Sequence, residues 1–243
     1  MIYLLPILLT IFFILIFSFL APYLRLIDMP DKRKLHKGKV PLVGGLSIYL
    51  TIIFMIFFIE VDYLIVIILL SSAIILILGA LDDAFELGII IRLISQLIAG
   101  LIVVGAGISI VDIGDYYFFP KIQLGTFGIL LTIVSVTGLT NAINFIDGID
   151  GLCSGLVLLA LITLLFFIYL SGNNIDYSLI GVLSLSITIF LLINMGLTPI
   201  KKIFLGDAGS MLLGFILSWF LIYYSHTDSR YIHPVLTIWC VSL

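Results

Sequence analysis

Nine long apolar runs, separated by short polar segments, set the terms on which this chain can fold. They lie at 2–24, 41–59, 63–81, 92–111, 125–143, 152–170, 177–196, 208–225 and 234–243. A helix needs about 20 mostly apolar residues to cross the hydrocarbon core of a bilayer. In that medium backbone N–H and C=O groups find no water, so each run must satisfy its own, as a helix does. The composition agrees: 63% of residues are hydrophobic and 10% charged, against about 25% charged in a soluble domain, and the mean hydropathy is +1.36. The expected fold is all-α, a polytopic transmembrane helix bundle of about nine spans in one integral membrane domain, residues 1–243. The last run is too brief to cross a bilayer, which predicts a C-terminally truncated chain. The first run lacks a basic segment before it and is followed by basic residues, so it reads as a retained span with its N-terminus outside, not as a signal peptide.

Threading these spans sends segments 25–40, 82–91, 144–151 and 197–207 to one side. Arg25, Lys32, Arg33, Lys34, Lys37, Lys39, Arg92 (at its loop edge), Lys201 and Lys202 fall there, nine of the 11 basic residues, and only Lys121 and Arg230 fall opposite. Cytoplasmic loops carry the excess of Lys and Arg, so the first side is assigned to the cytoplasm, and the net charge of −3 decides nothing. The same threading gathers Asp82, Asp83, Asp147, Asp150 and Asp207 at helix ends on that side. Glu60, Asp62, Asp112, Asp115, Asp176 and Asp228 go to the other, where solvated loops account for them. The polar stretch 112–124 reads as an external turn or small hairpin. Cys153 and Cys240 have neither metal-site nor disulfide spacing and read as packing residues.

Four stretches depart from this greasy background. In "GALDDAFELG" (79–88), two adjacent carboxylates repel each other unless a cation or proton lies between them. They read either as a solvated doublet or as ligands for a hard divalent ion that also binds phosphate. In "NAINFIDGIDGL" (141–152), Asp147 and Asp150 share a face if the turn is helical. Helix capping accounts for one of them, not for both together with Asn141 and Asn144, whose amides are suited to reading a base or sugar. In "KKIFLGDAGS" (201–210), a glycine-flanked turn at Gly206 can present N–H groups to phosphate while Asp207 takes a metal, or Asp207 can simply cap the next helix. In "DMPDKRKLHKGKVPLVGG" (28–45), Arg33, Lys34, His36 and Lys37 either attract phosphate at the membrane surface or serve topology alone.

In this order, these four stretches resemble the polyprenyl-phosphate N-acetylhexosamine-1-phosphate transferase family, of glycosyltransferase 4 type. The matching pieces are "DMPDKRKLHKGKVPLVGG", "GALDDAFELGIIIRLISQ", "NAINFIDGIDGL" and "IFLGDAGSMLLGF". The nearest likeness is to the bacterial undecaprenyl-phosphate GlcNAc-1-phosphate transferases. The resemblance implies a Mg²⁺-dependent enzyme, with Mn²⁺ as an alternative ion, that acts on UDP-GlcNAc and undecaprenyl phosphate at the cytoplasmic face of a bacterial inner membrane. Its product starts a lipid-linked surface polysaccharide such as O-antigen or a teichoic-acid-like polymer. It implies a catalytic doublet at Asp82 and Asp83, a DGxDG pair at Asp147 and Asp150, and Mg²⁺ held by Asp207 with Asp83. Asp82 is then the base toward the lipid phosphate, and Asp147 the nucleophile if the route has two steps. The expected partners are the bilayer and the two substrates, with no nucleic acid and with room for a homodimer.

Other readings are a phospho-MurNAc-pentapeptide transferase, a CDP-alcohol phosphotransferase, a transporter and a non-catalytic fragment. The aspartate-rich helix of the second is missing. A transport site belongs near mid-span, whereas these acids sit at helix ends. The family also has a His-rich loop that contacts the sugar nucleotide, expected beyond residue 243. The 243-residue chain alone is therefore expected to be inactive, and transfer of labelled GlcNAc-phosphate by the purified chain would contradict this.

Overall fold

The computed structural model describes residues 3–29, 38–114, 122–171, 178–226 and 233–234. Eight helices occupy eight of the nine apolar runs: α1 (Leu4–Leu24), α2 (Gly44–Met55), α3 (Tyr63–Phe85), α4 (Ile89–Gly105), α5 (Phe127–Ile146), α6 (Leu152–Leu170), α7 (Ser178–Asn194) and α8 (Gly206–His226). Five of them, α1, α3, α5, α6 and α8, are long and apolar enough to cross a membrane. About nine spans were expected; among the described residues these five meet the length and hydropathy that crossing requires. The ninth, 234–243, lies outside the described residues apart from Pro234, and α2, α4 and α7 are apolar but only 12, 17 and 17 residues long. At 1.5 Å per residue, α2 covers about 18 Å of a core about 30 Å thick.

The late start of α2 has its cause in distant parts of the chain. Residues expected at its start are drawn into extended structure instead: β1 (Ile27–Asp28) pairs antiparallel with β2 (Val40–Pro41), a small exception to an all-helical fold. Segment 203–205 then docks beside β2. Phe204 N–H donates to Pro41 O at 2.8 Å, and Gly44 and Gly45 N–H donate to Phe204 O and Leu205 O at 3.0 and 3.2 Å. The buried Asn194 donates its amide to Ile203 O at 2.9 Å. The lead-in to α8 is thus held from both sides.

Helix α8 is the axis of the bundle. Every residue from Ala208 to Ser225 is buried, chiefly against α3 and α5, with α2 and α6 completing the enclosure. Lipid offers no hydrophobic incentive for helices to associate, so close approach through small residues must supply the packing. Three seams do so. Gly45 of α2 meets Gly209, Gly79 of α3 meets Ala208, and Gly214 of α8 meets Thr140 of α5; a Cβ on any of these glycines would run into the opposing backbone. Large side chains on α1, such as Phe19 and Tyr23, instead point outward.

The two ends of the bundle differ. At one end Asp62 caps α3, accepting Leu64 N–H at 2.8 Å, and accepts the Tyr223 hydroxyl at 2.9 Å. There His226 Nε2 also lies 3.0 Å from Asp112 O, and Asp112 pairs antiparallel with Gln123, at the base of the expected hairpin. At the other end the chain gathers 38–45, the end of α3, the start of α4, the end of α5 with its following loop, and the start of α8.

Gly79→Val forces a branched side chain into the Ala208 backbone, so the detergent-solubilised chain should lose several degrees of thermal stability, or fail to accumulate. Gly105→Ala, with nothing near its Cβ, should do neither. Equal melting of the two variants would rule out the seam.

Candidate active site

The helix boundaries decide where the acids point. α3 continues past residue 81 to Phe85, so Asp82 and Asp83 stand on its last turn. α8 begins at Gly206, which puts Asp207 in its first turn. The two helix ends meet there. Asp83 Oδ1 accepts Asp207 N–H at 2.9 Å, and Oδ2 accepts Ala208 N–H at 3.1 Å. A carboxylate from α3 therefore caps α8, where the first N–H groups lack partners within the helix and the dipole favours negative charge. Gly206 is shaped for this contact: its φ is +76°, and a Cβ there would lie 2.6 Å from Asp83 Oδ2. Two N–H groups that the glycine-rich turn offered to phosphate are thus donated to Asp83.

Asp207 is held beside it. Its Oδ1 accepts the Asn144 amide at 3.0 Å, and the same amide nitrogen donates to Ser210 Oγ at 2.8 Å. Arg92 lies on α4, one turn from its start, because that helix begins at Ile89. Its Nη1 is 3.0 Å from Asp82 Oδ2 and 3.5 Å from Asp207 Oδ2. The approach to Asp82 is a charge contact more than an aligned hydrogen bond, since that oxygen has no hydrogen-bond donor among the described residues. Asp82 is nearly closed off, its side chain 4% exposed, while that of Asp207 is 44% exposed. The cluster therefore has an inner wall and an open mouth.

The loop after α5 closes one side. Asp147 ends α5 half-buried, and burial, reinforced by the charges of Asp207 and Asp150, pushes its carboxyl up to about 7. Asp150 is exposed and pairs with Lys202. Asn141 points inward: its amide donates to Gln96 Oε1 at 2.7 Å and to Thr137 O at 2.8 Å. Arg33, Lys34 and His36 lie outside the described residues.

All five aspartates singled out in the sequence thus come to one end of the bundle, with Asn141, Asn144 and Gly206. Arg92, Gln96 and Lys202 were missed as site residues. Arg92 and Lys202 had been counted only for topology, yet Arg92 and Gln96, four apart in an apolar helix, mark a polar stripe that names the inward face of α4. Among the described residues, five carboxylates face two cations, Arg92 and Lys202. Among the described residues no three of these side chains are arranged as a ready-made metal site.

The model of glycosyl transferase family 4 matches residues 65–225. The undecaprenyl-phosphate alpha-N-acetylglucosaminyl 1-phosphate transferase of Salmonella typhi is 33% identical over 240 residues, 96% of this chain and 65% of that protein. The proteins of the same name from Escherichia coli K12 and Haemophilus influenzae are 32% and 33% identical, over 90% and 92% of this chain and 60% and 64% of their own lengths. The chain spans just under two thirds of the length of these curated relatives.

Asp83→Ala leaves two N–H groups of α8 without their acceptor and should cost about 1–2 kcal/mol, while Asp83→Asn keeps one acceptor and should cost less. Thermal unfolding in detergent should rank wild type above Asn above Ala. Identical midpoints would show that the cap contributes nothing.

Proposed function

The chain belongs to glycosyl transferase family 4, and on that premise we propose that it provides the catalytic carboxylates for transfer of GlcNAc-1-phosphate from UDP-GlcNAc to undecaprenyl phosphate. The products are undecaprenyl-diphospho-GlcNAc and UMP. The reaction takes place at the cytoplasmic face of a bacterial inner membrane, with the N-terminus outside. The observation that carries this reading is the meeting of Asp82, Asp83 and Asp207 where α3 ends and α8 begins. A lipid-borne phosphate reaches such a place from the bilayer and a nucleotide from the water. The nine basic residues that the sequence threads to the same side as these acids support the orientation.

In the proposed reaction a lipid phosphate oxygen attacks the phosphorus that bears the sugar, and the bond to the bridging diphosphate oxygen breaks as UMP leaves. Asp83 and Asp207 would hold Mg²⁺, or Mn²⁺ in its place, and the bound ion offsets charge on the diphosphate. Asp83 can cap α8 and still offer a lone pair, since each carboxylate oxygen accepts more than one contact. Asn144 and Ser210 fix Asp207 so that it need not reorganise during reaction. Asp82 takes any proton on the lipid phosphate, with Arg92 alongside to balance its charge. The neighbouring Asp147 and Asp150 shape the nucleotide side of the site.

Membranes carrying the full-length protein, given labelled UDP-GlcNAc and undecaprenyl phosphate, should release UMP and form a labelled lipid with Mg²⁺ and not with EDTA. UDP-MurNAc-pentapeptide should give no lipid product. Asp207→Asn should reduce turnover to background while the protein still accumulates. Folded protein that forms no Mg²⁺-dependent lipid product would count decisively against the assignment.

A further inference from the structure

Of the two cations in the carboxylate cluster, Arg92 is committed to the inner wall, shared between Asp82 and Asp207 with its side chain 26% exposed. Lys202 is placed differently. Its Nζ pairs with Asp150 Oδ2, where the two side chains are 34% and 48% exposed, and lies 5.1 Å from the centroid of the Phe204 ring. Two features make this lysine well anchored at its root and loosely engaged at its tip. The backbone that follows it is fastened through Ile203 to Asn194 and through Phe204 to Pro41 and Gly44. The ion pair at its tip, by contrast, is solvent-exposed, and such pairs contribute little to stability.

We propose that Lys202 is a phosphate-binding residue held in reserve by Asp150: it leaves that carboxylate for the diphosphate of the incoming nucleotide. The inference rests on the functional reading above and adds a residue to it. A diphosphate entering the open mouth meets Asp150, Asp147 and Asp207, and a cation on that rim is needed to admit it. The lysine head is a compact charge with three donors on a flexible stem, suited to changing partners without moving the backbone. Asp150 then prevents a lone cation from attracting other anions when the site is empty, at the cost of a weak pair that a diphosphate outcompetes. Arg25, stacked at 5.7 Å over Phe85, has an aromatic partner but no carboxylate of the cluster.

The test is equilibrium binding to the full-length protein in detergent, with UDP as direct probe and uridine measured by competition. Lys202→Gln should weaken UDP about ten- to a hundredfold, the worth of a charge-assisted hydrogen bond, and leave uridine within about twofold. Lys202→Arg should restore most of the UDP affinity. Unchanged UDP binding by Lys202→Gln overturns the proposal. So does an equal loss for UDP and uridine, which would mean that the lysine only shapes the loop. Failure of the wild type to bind any uridine nucleotide overturns the functional reading and this inference together. Wild-type binding with a silent Lys202→Gln overturns this inference alone.

Discussion

The contact on which the rest depends is the Asp83 carboxylate seated on the first N–H groups of α8. It joins the end of one membrane helix to the start of another, and no sequence-local interaction could do so. It fixes the depth of α8 relative to α3, and therefore where Asp207 stands with respect to Asp82. It explains the glycine at 206, where a side chain would take the space of the carboxylate oxygen. It also supplies negative charge where the peptide dipoles of α8 call for it. One side chain thereby serves both the fold and the electrostatics of the cluster.

Much of this was legible beforehand. Each of the first eight apolar runs became a helix, because about 20 apolar residues in lipid leave the backbone little alternative. Counting charges also put Asp82, Asp83, Asp147, Asp150 and Asp207 at one end, as the structure has them. Helix ends were less legible. In the sequence the apolar run stops at residue 81 and leaves Asp82 and Asp83 beyond α3, but Arg92 on α4 and the start of α8 offer them partners that hold the last turn in register. Likewise the apolar run starts α2 too early, since nothing local reveals that Pro41 and Leu42 line up beside Phe204.

The pairings were hidden for a related reason. Asn144 and Asp207, or Arg92 and Asp82, are neighbours only after helices pack, and an apolar helix carries little marking of which face turns inward. Where such marking exists it is polar: Arg92 and Gln96 recur at helical spacing, and both turn inward, Arg92 to Asp82 and Gln96 to Asn141. Asp150 shows the opposite case. Within "NAINFIDGIDGL" it has no cation, yet Lys202, 52 residues later, is its partner.

The enclosure of α8 has a consequence for how the protein is made. It is the last of the eight helices to leave the ribosome, and its slot is lined by α2, α3, α5 and α6, all synthesised earlier. Those four must therefore wait in the bilayer with the slot unfilled by protein, or with α8 loosely alongside, until the glycine seams can close. Helices that insert singly and then associate allow such a delay. The Asp83 cap and the Asn144 clamp on Asp207 form only at that closing step. Biogenesis thus withholds the carboxylate cluster until α8 has joined the helices that line its slot.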